Sequence, residues 1–463
     1  MTAAEATPEL DIADQGDRAF LGHPKGLGYL AFTEAWERFS YYAMQTLLVL
    51  YMAKELLLPG HIENVVGIET VRDLFGGIDG QPLASAIFGT YAALVYLTPI
   101  FGGLIADRWL GRTAAVTIGA LLMSIGHFMM AFEQSFLFAL LFLVAGVGLF
   151  KGNIASQVGG LYKPADLRRA DAFQIFYIAI NAGVIAAPLV AGTLGEVYGW
   201  HWGFGTAGVG MVIGLLIYLS GRKYLPAEEP KRAAGASPRA RLAAADATAV
   251  FALVLLIPVL AIALLTNMQI FNVYLIWGDA QFDLNFFGTR LPTSWLVTLD
   301  TIVSVSGLVL VAGFWRWWGK SRAEPDELGK ILIGTVFTVA GALSLVAAAL
   351  FQAEGEKIGL FWPVMFHILN SIGFAHILPV SLALFAKVAP KAINATVIGL
   401  YYLAFFGANS MVGWIGGWFE TMPVTTFWAI HAGAAAVSGI AFLIFRILLS
   451  KRLMAGQPAP LPA

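Results

Sequence analysis

Apolar residues fall along this chain in twelve blocks, each long enough to cross a membrane as a helix: about 29–58, 82–106, 112–132, 136–160, 171–198, 203–221, 248–277, 293–318, 328–352, 358–388, 392–419 and 424–449. A spanning helix needs roughly 20 mainly apolar residues. Several blocks exceed that, which predicts tilt or extension into water. Glycine and proline recur inside them, as buried helices in membranes tolerate.

Two blocks carry charges where the pattern calls for apolar residues. The first contains "EAWERFSYYAMQ", Glu34 to Gln45. At about 100° per residue, Glu34, Glu37, Arg38, Tyr41, Tyr42 and Gln45 share one arc of about 140°. Trp36 and Phe39 point away. The fourth block places Lys151 mid-span in "GVGLFKGNIASQVGG". A charge near the bilayer centre costs on the order of 2.5–3.5 kcal/mol. This stripe therefore faces protein or water. Two readings are open: an internal salt-bridge knot that locks helices, or a water-filled cavity binding charged solutes and protons. Two acids with two bases suit the cavity. The glycines around Lys151 lack phosphate-loop spacing and read as small residues that let helices approach.

Composition supports the membrane class. The chain has 463 residues, 58% hydrophobic and 12% charged, with a mean hydropathy of +0.75. The net charge of −1 gives no sign of nucleic-acid binding, and the absence of cysteine excludes disulfides and thiolate sites. The seven histidines are scattered, with no pair at ligand spacing on a helix face, so no metal site and no cofactor are expected. The lone outer-loop His61 reads as a solvated surface residue. The polar start lacks the features of a cleaved signal. With the N-terminus in the cytoplasm, 22 Lys and Arg fall on that side and four, Lys54, Arg72, Arg290 and Lys357, on the other. This asymmetry sets the orientation: both termini are expected in the cytoplasm, in a cell (inner) membrane.

The expected organisation is an N-terminal tail (1–28), a six-helix bundle (29–221), a polar Ala/Pro-rich linker (222–247), a second six-helix bundle (248–450) and a C-terminal tail (451–463). So short and polar a linker leaves the expectation at twelve spans. After the second block "GGLIADRWLGR" makes a tight turn carrying Asp107, Arg108 and Arg112, charges that can pair in one conformation and separate in another.

"GGLIADRWLGR" resembles the conserved loop of the major facilitator superfamily. "EAWERFSYY" is similar to the ExxERFxYY motif of its proton-coupled oligopeptide transporters, and "FYIAINAG" to their FYxxINxG signature. Lys151 stands where that family has its fourth-helix lysine. The resemblance covers most of the N-terminal half in order and spacing, and the C-terminal half more loosely. It implies an all-α fold of two six-helix bundles alternating about a central site. It also implies that Glu34, Glu37 and Arg38 couple to protons. Arg38 and Lys151 would meet a peptide carboxylate, with Tyr41, Tyr42, Tyr91, Tyr177 and Asn181 shaping the pocket.

Two departures matter. Gln45 replaces an arginine that the family often has, and the seventh span places Asn267 where a glutamate is usual. An amide pair, Gln45 with Asn267 or Gln269, would replace a charged outer gate at lower desolvation cost. In the tenth span Phe374 stands where the family has the glutamate that holds the peptide's amino end. His376 nearby reads as packed or hydrogen-bonded, and Asp300 as a structural or gate residue. The function implied is a proton-driven importer of di- and tripeptides, probed against transport of another small anion, such as nitrate or an amino-acid conjugate, and against a non-transporting receptor. The expected partners are peptide, protons and the lipid bilayer; nothing requires more than a monomer.

Overall fold

The structure is a computed structural model, and it describes residues 17–163, 166–226, 244–390 and 393–454. Most of the expected linker lies outside the described residues, as do residues 1–16 and 455–463 of the tails.

The twelve long helices follow the apolar blocks closely. They are α1 (Lys25–Tyr51), α2 (Gly80–Ile105), α3 (Arg112–Met129), α4 (Phe136–Gly160), α5 (Arg168–Ala187) and α6 (Trp200–Gly221). Then come α7 (Ala244–Met268, resuming as Val273–Gln281), α8 (Trp295–Trp318), α9 (Glu327–Leu350), α10 (Phe361–Val388), α11 (Asn394–Tyr401, then Leu403–Gly416) and α12 (Val424–Met454). Among the described residues, eleven helices are long and apolar enough to cross a membrane. The exception is α1: at 27 residues it is long enough, but it carries Glu34, Glu37 and Arg38. Strand structure was not expected. A two-residue hairpin, Asn285–Phe286 with Thr289–Arg290, closes the loop before α8, turning on Phe287 and Gly288, both with positive φ.

Helices α1 to α6 pack among themselves, as do α7 to α12; the halves meet mainly where α2 faces α11 and α5 faces α8. Buried glycines permit this closeness. A Cβ on Gly102 would lie 1.9 Å from the Gly148 carbonyl oxygen, and one on Gly146 would lie 2.5 Å from Met123, so the glycines near Lys151 serve helix approach. The outer perimeter is apolar, with Phe101, Leu141, Val309 and Val336 all exposed, as lipid contact requires.

We call the end bearing the chain termini the terminal side and its opposite the distal side. Nearly all described polar bridges between the halves are distal. Ser85 Oγ donates to Asn272 Oδ1 (3.1 Å), Gln81 Nε2 to the Gly416 carbonyl (3.0 Å), and Trp295 Nε1 to Thr193 Oγ1 (2.9 Å). Lys54 pairs with Asp279 at 2.9 Å. Helix α7 breaks at Asn272 (φ −124°, ψ −110°), whose amide also reaches the Val412 carbonyl (3.3 Å). On the terminal side, the described ion pairs Arg168–Asp166, Lys387–Glu327 and Arg446–Asp326 each stay within one half.

Candidate functional site

The polar stripe of α1 is buried inside the first half. Glu34, Glu37, Arg38, Tyr41 and Gln45 are all buried. The apolar back faces protein too: a Cβ on Gly210 or Gly214 of α6 would touch Phe39 and Trp36.

Arg38 Nε lies 3.1 Å from Glu34 Oε1 and 2.5 Å from Glu37 Oε2. These are ion-pair contacts. Glu34 Oε2, both Glu37 oxygens, Arg38 Nε and Nη2, and the Tyr41 hydroxyl are buried with no hydrogen-bond partner. Such groups normally find partners. Setting aside Arg38 Nε and Glu37 Oε2, which face each other as an ion pair, four unmatched polar atoms in one patch mark a place built to receive something polar.

Lys151 faces the same patch from α4, within electrostatic reach of Glu34, Glu37 and Arg38. Its Nζ sits 4.5 Å from the centroid of the Tyr96 ring. Tyr96 in turn stacks on Phe405 of α11 at 4.8 Å. A cation of the first half therefore reaches the second through one aromatic pair. Tyr41 lies under the Arg38 guanidinium at 5.4 Å, and Tyr42 packs on Phe271 of α7. Tyr91 is buried within electrostatic reach of Glu37 and Arg38. Tyr177 is exposed yet within reach of Tyr42. Asn181 donates to the Tyr177 carbonyl (2.8 Å), so its NH2 serves its own helix.

The expected amide gate does not form. The Gln269 amide has no hydrogen-bond partner, and among the described residues no hydrogen bond joins Gln45 to Asn267. Position, not chemistry, explains this: the seal lies further out, at Lys54, Glu196 and Asp279 near the ends of apolar blocks, none of them among the residues expected to gate. Glu196, in the helical continuation of α5 at Leu194–Tyr198, accepts from the backbone N–H groups of Thr293 and Ser294, both at 2.8 Å. A carboxylate from one half thus caps the start of α8 in the other, where the helix dipole favours it. Asp279 pairs with Lys54 and Arg290 (2.8 Å) and accepts from Thr293 Oγ1 (2.8 Å). Burial opposes ionisation of Asp279, but the hydrogen bonds from Lys54 and Thr293 outweigh it and hold the carboxyl below its ordinary range. Asp107 and Arg108 are exposed and Arg112 partly buried, on a tight turn ended by Gly111 (φ +83°); among the described residues no ion pair joins them.

Asp300 is buried and bonded: its Oδ1 lies 2.9 Å from His367 Nδ1, and His367 Nε2 lies 2.8 Å from the Tyr274 hydroxyl. His376 is hydrogen-bonded as expected, to the Ile372 carbonyl and the Trp315 indole. Phe374 packs against the core. His61 is no plain surface residue. It lies 2.5 Å from Glu133 Oε1, and with Glu55 the three offer donor atoms within 4.8 Å of one another.

A chain of twelve membrane-length helices in two halves, shut at one end around a buried charge cluster, is a carrier in architecture. Comparison with known proteins points the same way. Residues 113–250 match the POT family. A peptide transporter of Yersinia enterocolitica is 29% identical over 95% of this chain and 97% of its own. A di-/tripeptide transporter of Lactococcus lactis subsp. cremoris is 27% identical over 93% and 96%. The crystal structure of a POT peptide transporter in complex with sulfate superposes with a TM-score of 0.81 at 28% identity, covering 94% of this chain and 96% of that one. A variant of a POT peptide transporter in complex with alafosfalin gives 0.79 at 28% identity over the same shares. The chain is thus similar to POT-family peptide transporters over nearly its whole length, with the family's own pattern matched over residues 113–250.

Proposed function

We propose that this chain imports di- and tripeptides by alternating access, driven by protons. The observation that carries the reading is the Glu34–Glu37–Arg38 cluster with Lys151 beside it: two acids, two bases and four polar atoms without a partner, buried in the first half. The relatives' names as peptide transporters support the substrate class.

The cluster supplies a route to coupling. Arg38 is shared by two carboxylates. A peptide carboxylate drawn to Arg38 and Lys151 competes with Glu34 and Glu37 for the guanidinium. A buried carboxylate deprived of its cation holds a proton in its place. Binding of peptide and proton then favour each other, and release of one favours release of the other. With both termini in the cytoplasm, the distal seal faces outside and the central site is presented inward. Localisation in the cell (inner) membrane and function as a monomer belong to this proposal.

The test is uptake of labelled dialanine into proteoliposomes under an inward proton gradient. Uptake should collapse with a protonophore, in Glu37→Gln and in Arg38→Ala. Arg38→Ala should also destabilise the fold, since removing one partner of a buried pair costs about 3–5 kcal/mol. Gradient-independent uptake, or full activity in both variants, would overturn the reading. A second reading has one observation in its favour: α10 offers Phe374 and no acid for an amino end. Transport of a small anion, displaced by nitrate and not by dialanine, would mark it.

A further inference from the structure

Among the described residues, α8 to α12 hold a single carboxylate beyond their first turns, Asp300. It is not isolated. His367 of α10 and Tyr274 of α7 continue from it in one hydrogen-bonded line, at 2.9 and 2.8 Å. His367 and Tyr274 are fully buried, while the Asp300 side chain keeps 11% of its surface open. The line thus has one slightly exposed end, within electrostatic reach of Tyr42 in the first half, and the other end in the core. Its inner end is also strategic. Tyr274 stands two residues beyond the break at Asn272, on the segment Val273–Gln281 that carries Asp279. That segment is held from within by Tyr274–His367 and from without by Lys54, Arg290 and Thr293.

We propose that Asp300, His367 and Tyr274 form a second proton-binding site, in the C-terminal half, whose occupancy sets the hold on the distal segment of α7. The chemistry is a simple gain of one proton. With Asp300 ionised and His367 neutral, Nδ1–H donates to Asp300 and Nε2 accepts from the Tyr274 hydroxyl. A proton entering from the Asp300 side yields an imidazolium facing the carboxylate, and both ring nitrogens then donate. Tyr274 can no longer donate to Nε2. Its hydroxyl proton must turn to another acceptor, so the contact that tethers the segment is remade. The groups around the pair are few. Tyr42 of α1 lies within reach of Asp300. His431 of α12 approaches through Trp428, which packs on Tyr274. Helix α9 carries Glu327 and Lys330 only at its start.

The inference rests on the carrier reading only for the use made of the proton. The test therefore reads proton binding without substrate. Full-length purified protein with labelled histidine is titrated by NMR from about pH 5 to 8, where histidine changes charge. The His367→Gln variant identifies the His367 signal among the seven. That signal should titrate in this window and leave it in Asp300→Asn, whose side chain keeps the shape. Spin labels at the distal tips of α1 and α7 should report a pH-dependent distance change that is flattened in His367→Gln and in Tyr274→Phe. A His367 signal constant across the window would overturn the site. Titration with an unchanged distance response in Tyr274→Phe would overturn the tie to α7. Neither result depends on uptake, so failure here leaves the proposed function standing, and failure of uptake does not alter the titration.

Discussion

The distal and terminal ends of this molecule are built from the same twelve helices but joined differently. At the distal end, backbone meets backbone across the halves: a Cβ on Gly89 of α2 would lie 2.4 Å from the Gly413 Cα of α11. Around that contact the bridges are charged and polar, through Glu196, Asp279, Asn272 and Gln81. At the terminal end the described ion pairs remain within their own half. On the proposed alternating-access function, the contrast locates where the structural work falls. One end is closed by sterically exacting contact plus reversible polar bonds, and its opening must break all of them together, while the charge cluster lies between the two ends.

Breaking the close contact should have the largest effect. Gly89→Ala would drive a methyl group into Gly413 and Asn409 backbone, atoms that cannot yield as a flexible side chain can. Overpacking costs about 1–3 kcal/mol, which moves the closed-to-open ratio roughly 5- to 150-fold. The expected result is a longer distance between spin labels at the distal tips of α2 and α11, with uptake lost in proportion. An unchanged distance would mean the seal does not depend on this approach. Glu196→Gln should come next. It takes a charged acceptor from two backbone donors, and hydrogen bonds to charged groups contribute about 1.5–3 kcal/mol; the amide keeps one oxygen and loses part of that. Asp279→Asn should be weaker. Its partners Lys54 and Arg290 are roughly half exposed, and exposed ion pairs are worth about 0–1 kcal/mol. Thiol-reagent access to a cysteine placed at position 81 in a wild-type or variant background would rank the three; Asp279→Asn above Glu196→Gln would reverse the assignment of the stronger latch.

The helices were legible because hydrophobic blocks this long have few other solutions. The stripe on α1 was legible for the same reason in reverse: buried charge is costly enough to be noticed when six polar positions share one face. The gate was not. Lys54, Glu196 and Asp279 stand at the ends of apolar blocks, where a charge is ordinary, and nothing local says that two such ends meet across the molecule. Asn272 was equally silent, since one polar residue in an apolar block does not announce a break in α7. The Asp300–His367–Tyr274 line joins three helices over nearly a hundred residues, a proximity that no periodicity within one helix can reveal.

The smallest effect should separate distal contacts that join the halves from those that do not. His61 and Glu133 touch at the distal side, but both belong to the first half, with Asn64 completing the contact to Glu133 at 2.7 Å. The Glu133 hydrogen bond raises the proton affinity of His61 above its ordinary value of 6.5. For Glu133, burial works against ionisation, but bonds from His61 and Asn64 outweigh it and lower its range. The contact therefore contributes fully between the ordinary carboxylate range and about pH 6.5; it is lost as pH falls through the lowered Glu133 value and as pH climbs through the raised His61 value. The His61 side chain is 44% exposed and solvent screens the pair, so His61→Ala should change thermal stability only slightly at pH 6 and not at all at pH 9. It should leave the α2–α11 label distance untouched at both. A change in that distance would show that the loop between α1 and α2 takes part in closure, and the seal would then extend beyond the contacts between the halves.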